Sequence, residues 1–217
     1  MLHLLRKDAF HFGLYLLVLF PLMILYLLLS KSEVDAGFIM LQWQWVLLLT
    51  IGGAGMTEQS EDKTRGYDFM KILPVSSRML VSAKFAMVLL VALFLVGANL
   101  ALLTVVKPPP PLLSLGRTFV TAAGSLAVVL VGIMYLVRFH TDHMRAFRFG
   151  WLFFIPFFAA PIVLIELNEA GRIDLAEVLR DLSASGGTVR VISILTGMSV
   201  FYLLMRASIR ARRRHTL

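Results

Sequence analysis

Residues 85–106 read FAMVLLVALFLVGANLALLTVV. No charged side chain interrupts the run, and Asn99 is its one amide. A helix needs about 20 consecutive apolar residues to cross roughly 30 Å of hydrocarbon, so the run is long enough to span a membrane. Its apolar residues are continuous and do not alternate with polar ones over about ten positions, which favours a helix over a membrane β-strand. The stretch therefore predicts a transmembrane helix.

The rest of the chain has the same character. Of its 217 residues, 59% are hydrophobic and 16% are charged, against about 45–50% and 25% in soluble domains. A small soluble domain cannot bury that much apolar surface, so a water-soluble enzyme is excluded, as is a disordered chain. Cysteine is absent, which excludes disulfides and thiolate chemistry. We predict an all-α membrane protein with six transmembrane helices, at approximately 12–29, 38–56, 85–106, 118–137, 150–167 and 189–205.

The basic residues predict which helix ends face the cytoplasm. The formal net charge is +8, from 21 Lys and Arg against 13 Asp and Glu. Fifteen of the 21 lie in the N-terminal segment, in 57–84, in 138–149 and in the C-terminal tail. Because basic residues concentrate in cytoplasmic segments, both termini are predicted to be cytoplasmic. An even number of spans agrees with this, since it places both termini on the same side. The excess positive charge is thus attributed to topology and anionic lipid, and no nucleic-acid partner is expected.

The sequence predicts one transmembrane domain over 1–217, with four segments outside its spans. Residues 1–11 mix apolar and charged side chains, which suits a helix in the inner interface. Residues 168–188 form an amphipathic extracellular segment, either a helix on the outer leaflet or a lid over a pathway. Residues 206–217 form a basic cytoplasmic tail that suits lipid headgroups. The fourth segment, 57–84, is the longest cytoplasmic connection.

This connection, 57–84, is predicted to contain a rigid helix, a stop and a second helix. Ser60 can cap a helix whose first turn is acidic. Pro74 removes a backbone donor and ends that helix. Ser76 can then cap a helix that runs into the third span. Tyr, Phe and Met beside charged residues are typical of a docking surface, although a helix lying flat on the bilayer fits the composition equally well.

The stretch 61–78, EDKTRGYDFMKILPVSSR, resembles the signature of ABC-2-type transporter permeases. In that family an acidic residue opens the loop after the second span. An apolar helix then runs into Leu-Pro-Val/Ile-Ser/Thr and a basic residue, and a Gly/Ala-Lys pair closes the motif. The family usually has the basic residue directly after the Ser, whereas here Ser77 stands there and Arg78 follows. The positions that fit are Glu61, Leu73, Pro74, Val75, Ser76, Ala83 and Lys84.

The resemblance implies an ABC-2 permease fold of the type V exporter kind, with a coupling helix in 57–84 seated on a separate ATP-binding subunit. ATP and Mg would bind to that subunit and no cofactor to this chain. No Gly-Lys pair occurs in the sequence, so there is no P-loop and the chain is not expected to be an enzyme. The residues expected to contact the ATPase are Glu61, Gly66, Tyr67, Phe69, Met70, Leu73, Pro74 and Arg78.

The resemblance also implies a dimer of like or related permease subunits in the plasma membrane of a bacterial cell, with the pathway between them. The substrate would be an amphipathic or hydrophobic peptide, lipid or drug, moved outward, with a peptide favoured by analogy. Polar residues in or beside the spans are candidates for the pathway or a gate, although such residues usually bond to another helix. They are Gln42, Gln44, Asn99 and Glu166.

Two other classes stay open. A non-transporting polytopic protein, such as an immunity or sensor protein, would share the spans without needing a coupling helix. A membrane-embedded lipid-modifying enzyme would need a cluster of acidic or His residues at the membrane surface, and only 140–143 comes near that pattern. Arginines surround His140 and His143, so no metal site is expected there.

Overall fold

In the computed structural model of the chain, residues 2–29, 36–63, 75–141 and 174–214 are described, with 155, 159, 163, 166, 167 and 170–172 between the last two ranges. Every regular element among them is a helix, which confirms the predicted all-α class. The helices are α1 (Leu2–Leu29), α2 (Ala36–Lys63), α3 (Ser77–Val106), α4 (Pro110–Thr141), α5 (Leu175–Ala184) and α6 (Gly186–Arg214).

Four segments within the described helices are long and apolar enough to cross a membrane: Arg6–Leu25 of α1, Ser77–Val106, Pro110–Thr141 and Gly186–Arg213. They correspond to the first, third, fourth and sixth predicted spans. Helix α2 contains the second predicted span but is not among the four. The fifth predicted span lies almost wholly outside the described residues. A membrane protein with several spanning helices is thus confirmed, and the number six stays a prediction.

Of the two helices that flank the long connection, α3 begins where predicted and α2 ends later than predicted. Ser76 caps α3 as predicted, since its hydroxyl accepts a hydrogen bond from the backbone N–H of Met79 at 3.2 Å. Ser60 lies inside α2, which continues without a break to Lys63. The prediction that Ser60 caps a separate helix is therefore wrong. A residue can cap the start of a helix only where the residues before it are not helical. The residues before Ser60 belong to α2, and this helix continues about one turn past Ser60 to Lys63.

Two other predicted segments also fall on helices. The segment 1–11 continues directly into the first apolar run, because α1 begins at Leu2 and has no break. Helix α5 lies within the amphipathic segment 168–188. The hydroxyl of Ser114, near the start of α4, donates a hydrogen bond to the carbonyl oxygen of Ser183 at 3.0 Å. This bond holds the end of α5 against α4.

Helix α4 is the main packing partner in the described bundle, with contacts to α2, α3, α5 and α6. Small residues let these helices approach closely. A Cβ at Gly124 of α4 would lie 2.3 Å from Cγ2 of Val96 on α3. A Cβ at Gly197 of α6 would lie 2.8 Å from Cβ of Ser125 on α4. Contact through small residues is how membrane helices associate, since lipid is as apolar as their side chains.

Candidate functional site

A group of charged side chains lies where α1, α2, α3 and α4 meet. Lys84 of α3 is at its centre, with 2% of its side chain exposed. Its Nζ lies 2.8 Å from Oε1 of Glu61, 2.9 Å from Oε1 of Glu58 and 3.3 Å from Oδ1 of Asp8. An ammonium group has three N–H donors, so the three carboxylates match its bonding capacity. Lys84 can therefore stay charged although it is buried.

Two more cations and one more carboxylate extend this group. Lys7 binds Glu61 through its Nζ. Nε of Arg138 lies 3.7 Å from Oε2 of Glu58, and its Nη2 lies 3.8 Å from Oδ1 of Asp62. Lys7 and Asp62 are partly exposed and form the rim, whereas Arg138 is buried. We refer to these residues as the ion cluster: Lys7, Asp8, Glu58, Glu61, Asp62, Lys84 and Arg138.

Helical spacing explains why these residues meet. Glu58 and Glu61 are three positions apart near the end of α2, so they are neighbours on one face of that helix. Lys84 lies two turns after the cap at Ser76, at the same end of the bundle. Arg138 comes from the last turn of α4. The ion cluster therefore marks the end of the bundle at which α2 stops and α3 starts.

Two glycines allow α1 to reach the ion cluster. A Cβ at Gly52 would lie 2.3 Å from Oη of Tyr15, and one at Gly53 would lie 2.3 Å from Cε1 of Phe12. The aromatic rings of α1 can lie against α2 only because these positions carry no side chain. Asp8 is one turn before Phe12 on the same face of α1, so this packing brings its carboxylate into the ion cluster.

Aromatic rings close the ion cluster from the interior of the bundle. The ring of Phe85, next to Lys84 in the chain, lies 5.6 Å from that of Tyr135 and 4.9 Å from that of Phe201. The ring of Tyr135 also lies 5.9 Å from that of Phe139. In such apolar surroundings, removing one partner of a buried ion pair leaves an uncompensated charge and costs about 3–5 kcal/mol. The ion cluster therefore favours one particular arrangement of four helices.

Glu61 is charged at neutral pH. Burial alone would raise the pKa of its carboxyl, but the ammonium groups of Lys84 and Lys7 outweigh burial. The pKa of Glu61 is consequently lowered from its ordinary value of 4.5. The carboxyl of Glu61 is thus ionised throughout the physiological pH range.

The motif recognised in the sequence therefore has its first acidic residue and its last basic residue in contact, as the pair Glu61 and Lys84. A family model described as "ABC-2 family transporter protein" matches residues 3–211. The chain belongs to the ABC-2 family. No curated protein and no solved structure matches it. Family membership confirms the resemblance and makes the chain a transporter membrane protein rather than a catalytic enzyme.

Of the residues predicted to contact an ATPase, the structure of this ABC-2 protein describes two. Glu61 is 2% exposed and binds Lys84 of its own chain, so its carboxylate is not on an open surface. Arg78 is exposed at the start of α3 and lines a cavity beside α6. The others lie outside the described residues, and their role stays a prediction: Gly66, Tyr67, Phe69, Met70, Leu73 and Pro74.

The candidate pathway residues of the ABC-2 protein differ in exposure. Gln42 and Asn99 are fully buried, Gln44 is half-buried and Glu166 is exposed. The side-chain N–H of Asn99 donates to the carbonyl oxygen of Leu95 at 2.8 Å. Nothing in the described part of the chain hydrogen-bonds to either amide atom of Gln42. In this arrangement neither buried amide faces an open path, and a role in transport stays a prediction for all four.

Sequence reasoning missed five members of the ion cluster: Lys7, Asp8, Glu58, Asp62 and Arg138. A usable signal was present, because Lys84 directly precedes a long uncharged run and a buried lysine needs carboxylate partners. The partner could not be named, since Lys84 and Asp8 are 76 positions apart in the chain. Only the packing of α1 on α2 decides which acidic residue comes within reach.

Proposed function

We propose that this ABC-2 chain is the membrane-spanning permease subunit of an ABC exporter. It moves an amphipathic or hydrophobic substrate (a peptide, lipid or drug) outward, driven by ATP hydrolysis on a separate subunit that holds ATP and Mg. That subunit docks at 57–84. Two permease subunits, alike or related, pair in the plasma membrane of a bacterial cell, with both termini of each chain in the cytoplasm.

The observation that carries the proposal is the position of the ion cluster at the base of 57–84. Glu61 on α2 and Lys84 on α3 are 2.8 Å apart, so an ion pair closes the connection at its base. Asp8 of α1 and Arg138 of α4 belong to the same cluster. A force applied to the connection is therefore passed to four packed helices together, whereas an unanchored loop would absorb it.

The residues from the end of the ion cluster on α2 to the first turn of α3 supply the contact with the ATPase in this proposal. They combine aromatic and Met side chains with a charged rim, as docking surfaces do. Glu61 has a different part, because its carboxylate holds the base of the connection from inside. The contact set is then Gly66, Tyr67, Phe69, Met70, Leu73, Pro74 and Arg78.

Co-purification tests this proposal. The full chain is co-expressed with a candidate ABC ATP-binding subunit, taken from an adjacent reading frame where one encodes such a subunit. The double variant Y67D/F69D is compared with wild type. Two carboxylates in an apolar docking face should abolish both co-purification and stimulation of the ATPase. The matched control is H140D/T141D, which adds the same charge at the exposed end of α4, near the ion cluster but outside 57–84.

Each outcome bears on the proposal. Loss of the partner in Y67D/F69D but not in H140D/T141D supports docking at 57–84. Undiminished co-purification and stimulated ATPase in Y67D/F69D would reject it. A chain that binds no ATP-binding subunit at all would also reject the proposal, and it would favour the non-transporting immunity or sensor alternative.

A further inference from the structure

A basic cavity lies at the end of the bundle where α3 starts and α6 ends. Its volume is about 210 Å³. Four arginines line it: Arg78 from the first turn of α3, and Arg206, Arg210 and Arg213 from the last three turns of α6. No carboxylate is among its described lining residues. Positive charges gathered around one cavity make it a favourable place for an anion.

The arginines of α6 are arranged for a single ligand. Arg206, Arg210 and Arg213 are spaced four and three positions apart, so they project from one face of the helix. Nε of Arg206 donates a hydrogen bond to Oη of Tyr202 at 2.8 Å, and its guanidinium lies 5.3 Å from the centre of the Tyr202 ring. This contact holds one guanidinium at the cavity wall. Arginine binds phosphate oxygens through paired N–H groups, so phosphate is the anion that this wall fits.

A separate apolar groove lies further along the same two helices, where α4 packs between them. It has a volume of about 140 Å³ and is lined by α3, α4 and α6, with Leu89 and Leu93 from α3, Gly124 from α4, and Ile194 and Met198 from α6. On α6 the groove comes within one turn of the cavity, at Met198 and Tyr202. On α3 the two are about two turns apart, and the packed rings of Phe85 and Phe201 lie at the level between them. The groove lies within the membrane-spanning parts of these helices. A phosphate site next to an intramembrane groove matches a headgroup and an acyl chain.

We propose that α3 and α6 form a binding site for an anionic phospholipid, whose phosphate lies among Arg78, Arg206, Arg210 and Arg213 and whose acyl chain follows the groove. Both helices can span a membrane, and Arg78 and Arg213 lie at the ends of their spanning segments. The cavity is therefore at the depth of lipid headgroups, where each basic residue adds to the attraction for anionic lipid.

The site would also connect lipid to the proposed docking segment. Arg78 is the second residue of α3, lies within the connection 57–84 and belongs to the proposed ATPase contact set. A phosphate bound by Arg78 and by the arginines of α6 holds the start of α3 against the end of α6. This consequence rests on the proposed function of 57–84, whereas lipid binding itself does not.

Native mass spectrometry of the purified full chain in detergent tests the site without any ATPase. Phosphatidylglycerol and phosphatidylcholine are added separately, and the bound lipid is measured for wild type and for R206Q/R210Q. Loss of two arginines should weaken binding of phosphatidylglycerol by at least about tenfold and leave the weaker phosphatidylcholine binding unchanged. The matched control is R117Q/R190Q, which removes two arginines outside the cavity, one from α4 and one from the start of α6.

A second variant separates the site from a folding defect. R206K/R210K keeps the charge but loses the paired geometry, so it should bind phosphatidylglycerol more weakly than wild type and more strongly than R206Q/R210Q. Equal binding of phosphatidylglycerol by wild type and R206Q/R210Q would overturn the proposal. A second result would also overturn the proposal: inorganic phosphate binds the lipid-free chain with the same dependence on Arg206 and Arg210, but displaces no lipid from the lipid-bound chain. The arginines would then form a site for a free anion and not for a lipid.

Discussion

Lys84 is the residue that joins the acidic side chains of α1 and α2 to α3. Its Nζ lies within 3.3 Å of carboxylates from both helices. Ion pairs of this kind add little net stability, because their attraction is offset by the cost of removing charges from water. They instead select one helix arrangement, since any shift of one helix against the others would leave a buried charge without its partner. Lys84 therefore limits how α3 can move independently of α1 and α2.

Replacing Lys84 by Met should reveal this role. The variant leaves the carboxylates of Asp8, Glu58 and Glu61 close together without their central cation, at an expected cost of about 3–5 kcal/mol. Thermal unfolding of the purified chain in detergent at pH 7.5 should show a large fall in Tm. Lys63→Met removes a charge from the exposed end of α2 and serves as the control. Similar unfolding temperatures for the two variants would show that the ion cluster does not hold the helices together.

At the scale of helices, local signals in the sequence were sufficient to predict some helix boundaries but not others. The cap at Ser76 depends on residues within one turn, so it could be predicted. The continuation of α2 through Ser60 could not, because a serine followed by acidic residues has the same local pattern inside a helix as at its start. The ion cluster needs residues from four helices, and its pairs depend on how those helices pack.

The packing of α1 on α2 can be tested through Gly53→Val. The added side chain would collide with the ring of Phe12, which a Cβ alone already approaches to 2.3 Å. We expect α1 to be displaced, at a cost of about 1–3 kcal/mol for overpacking. Gly97→Val is the matched control, since a Cβ at Gly97 meets nothing within 4 Å.

The displacement of α1 can be measured directly. The chain has no native cysteine, so spin labels can be attached at Ala9→Cys and Gln59→Cys, two exposed positions on α1 and α2. The distance between the labels should increase in Gly53→Val and stay at the wild-type value in Gly97→Val. An unchanged distance in both variants would mean that the glycines do not determine how α1 packs.

At the scale of the whole molecule, function depends on which side of the membrane holds the ion cluster. In the described bundle, four helix ends lie together: the end of α2, the start of α3, the end of α4 and the end of α6. The ion cluster joins α2, α3 and α4, and the basic cavity joins α6 to α3. Most of the basic residues lie at or near this end. The asymmetry in charge predicts that this end faces the cytoplasm, where an ATP-binding subunit could reach it.

Single cysteines in intact cells can decide this orientation, because the absence of native cysteine removes background labelling. Lys63→Cys and His140→Cys mark the end with the ion cluster, and Lys107→Cys and Asp181→Cys mark the opposite end. A maleimide that cannot cross the membrane should label only the second pair in intact cells and all four positions after permeabilisation. The reverse pattern would place the connection 57–84 outside the cell, where no ATP-driven subunit could act on it, and would contradict the exporter proposal whatever the family.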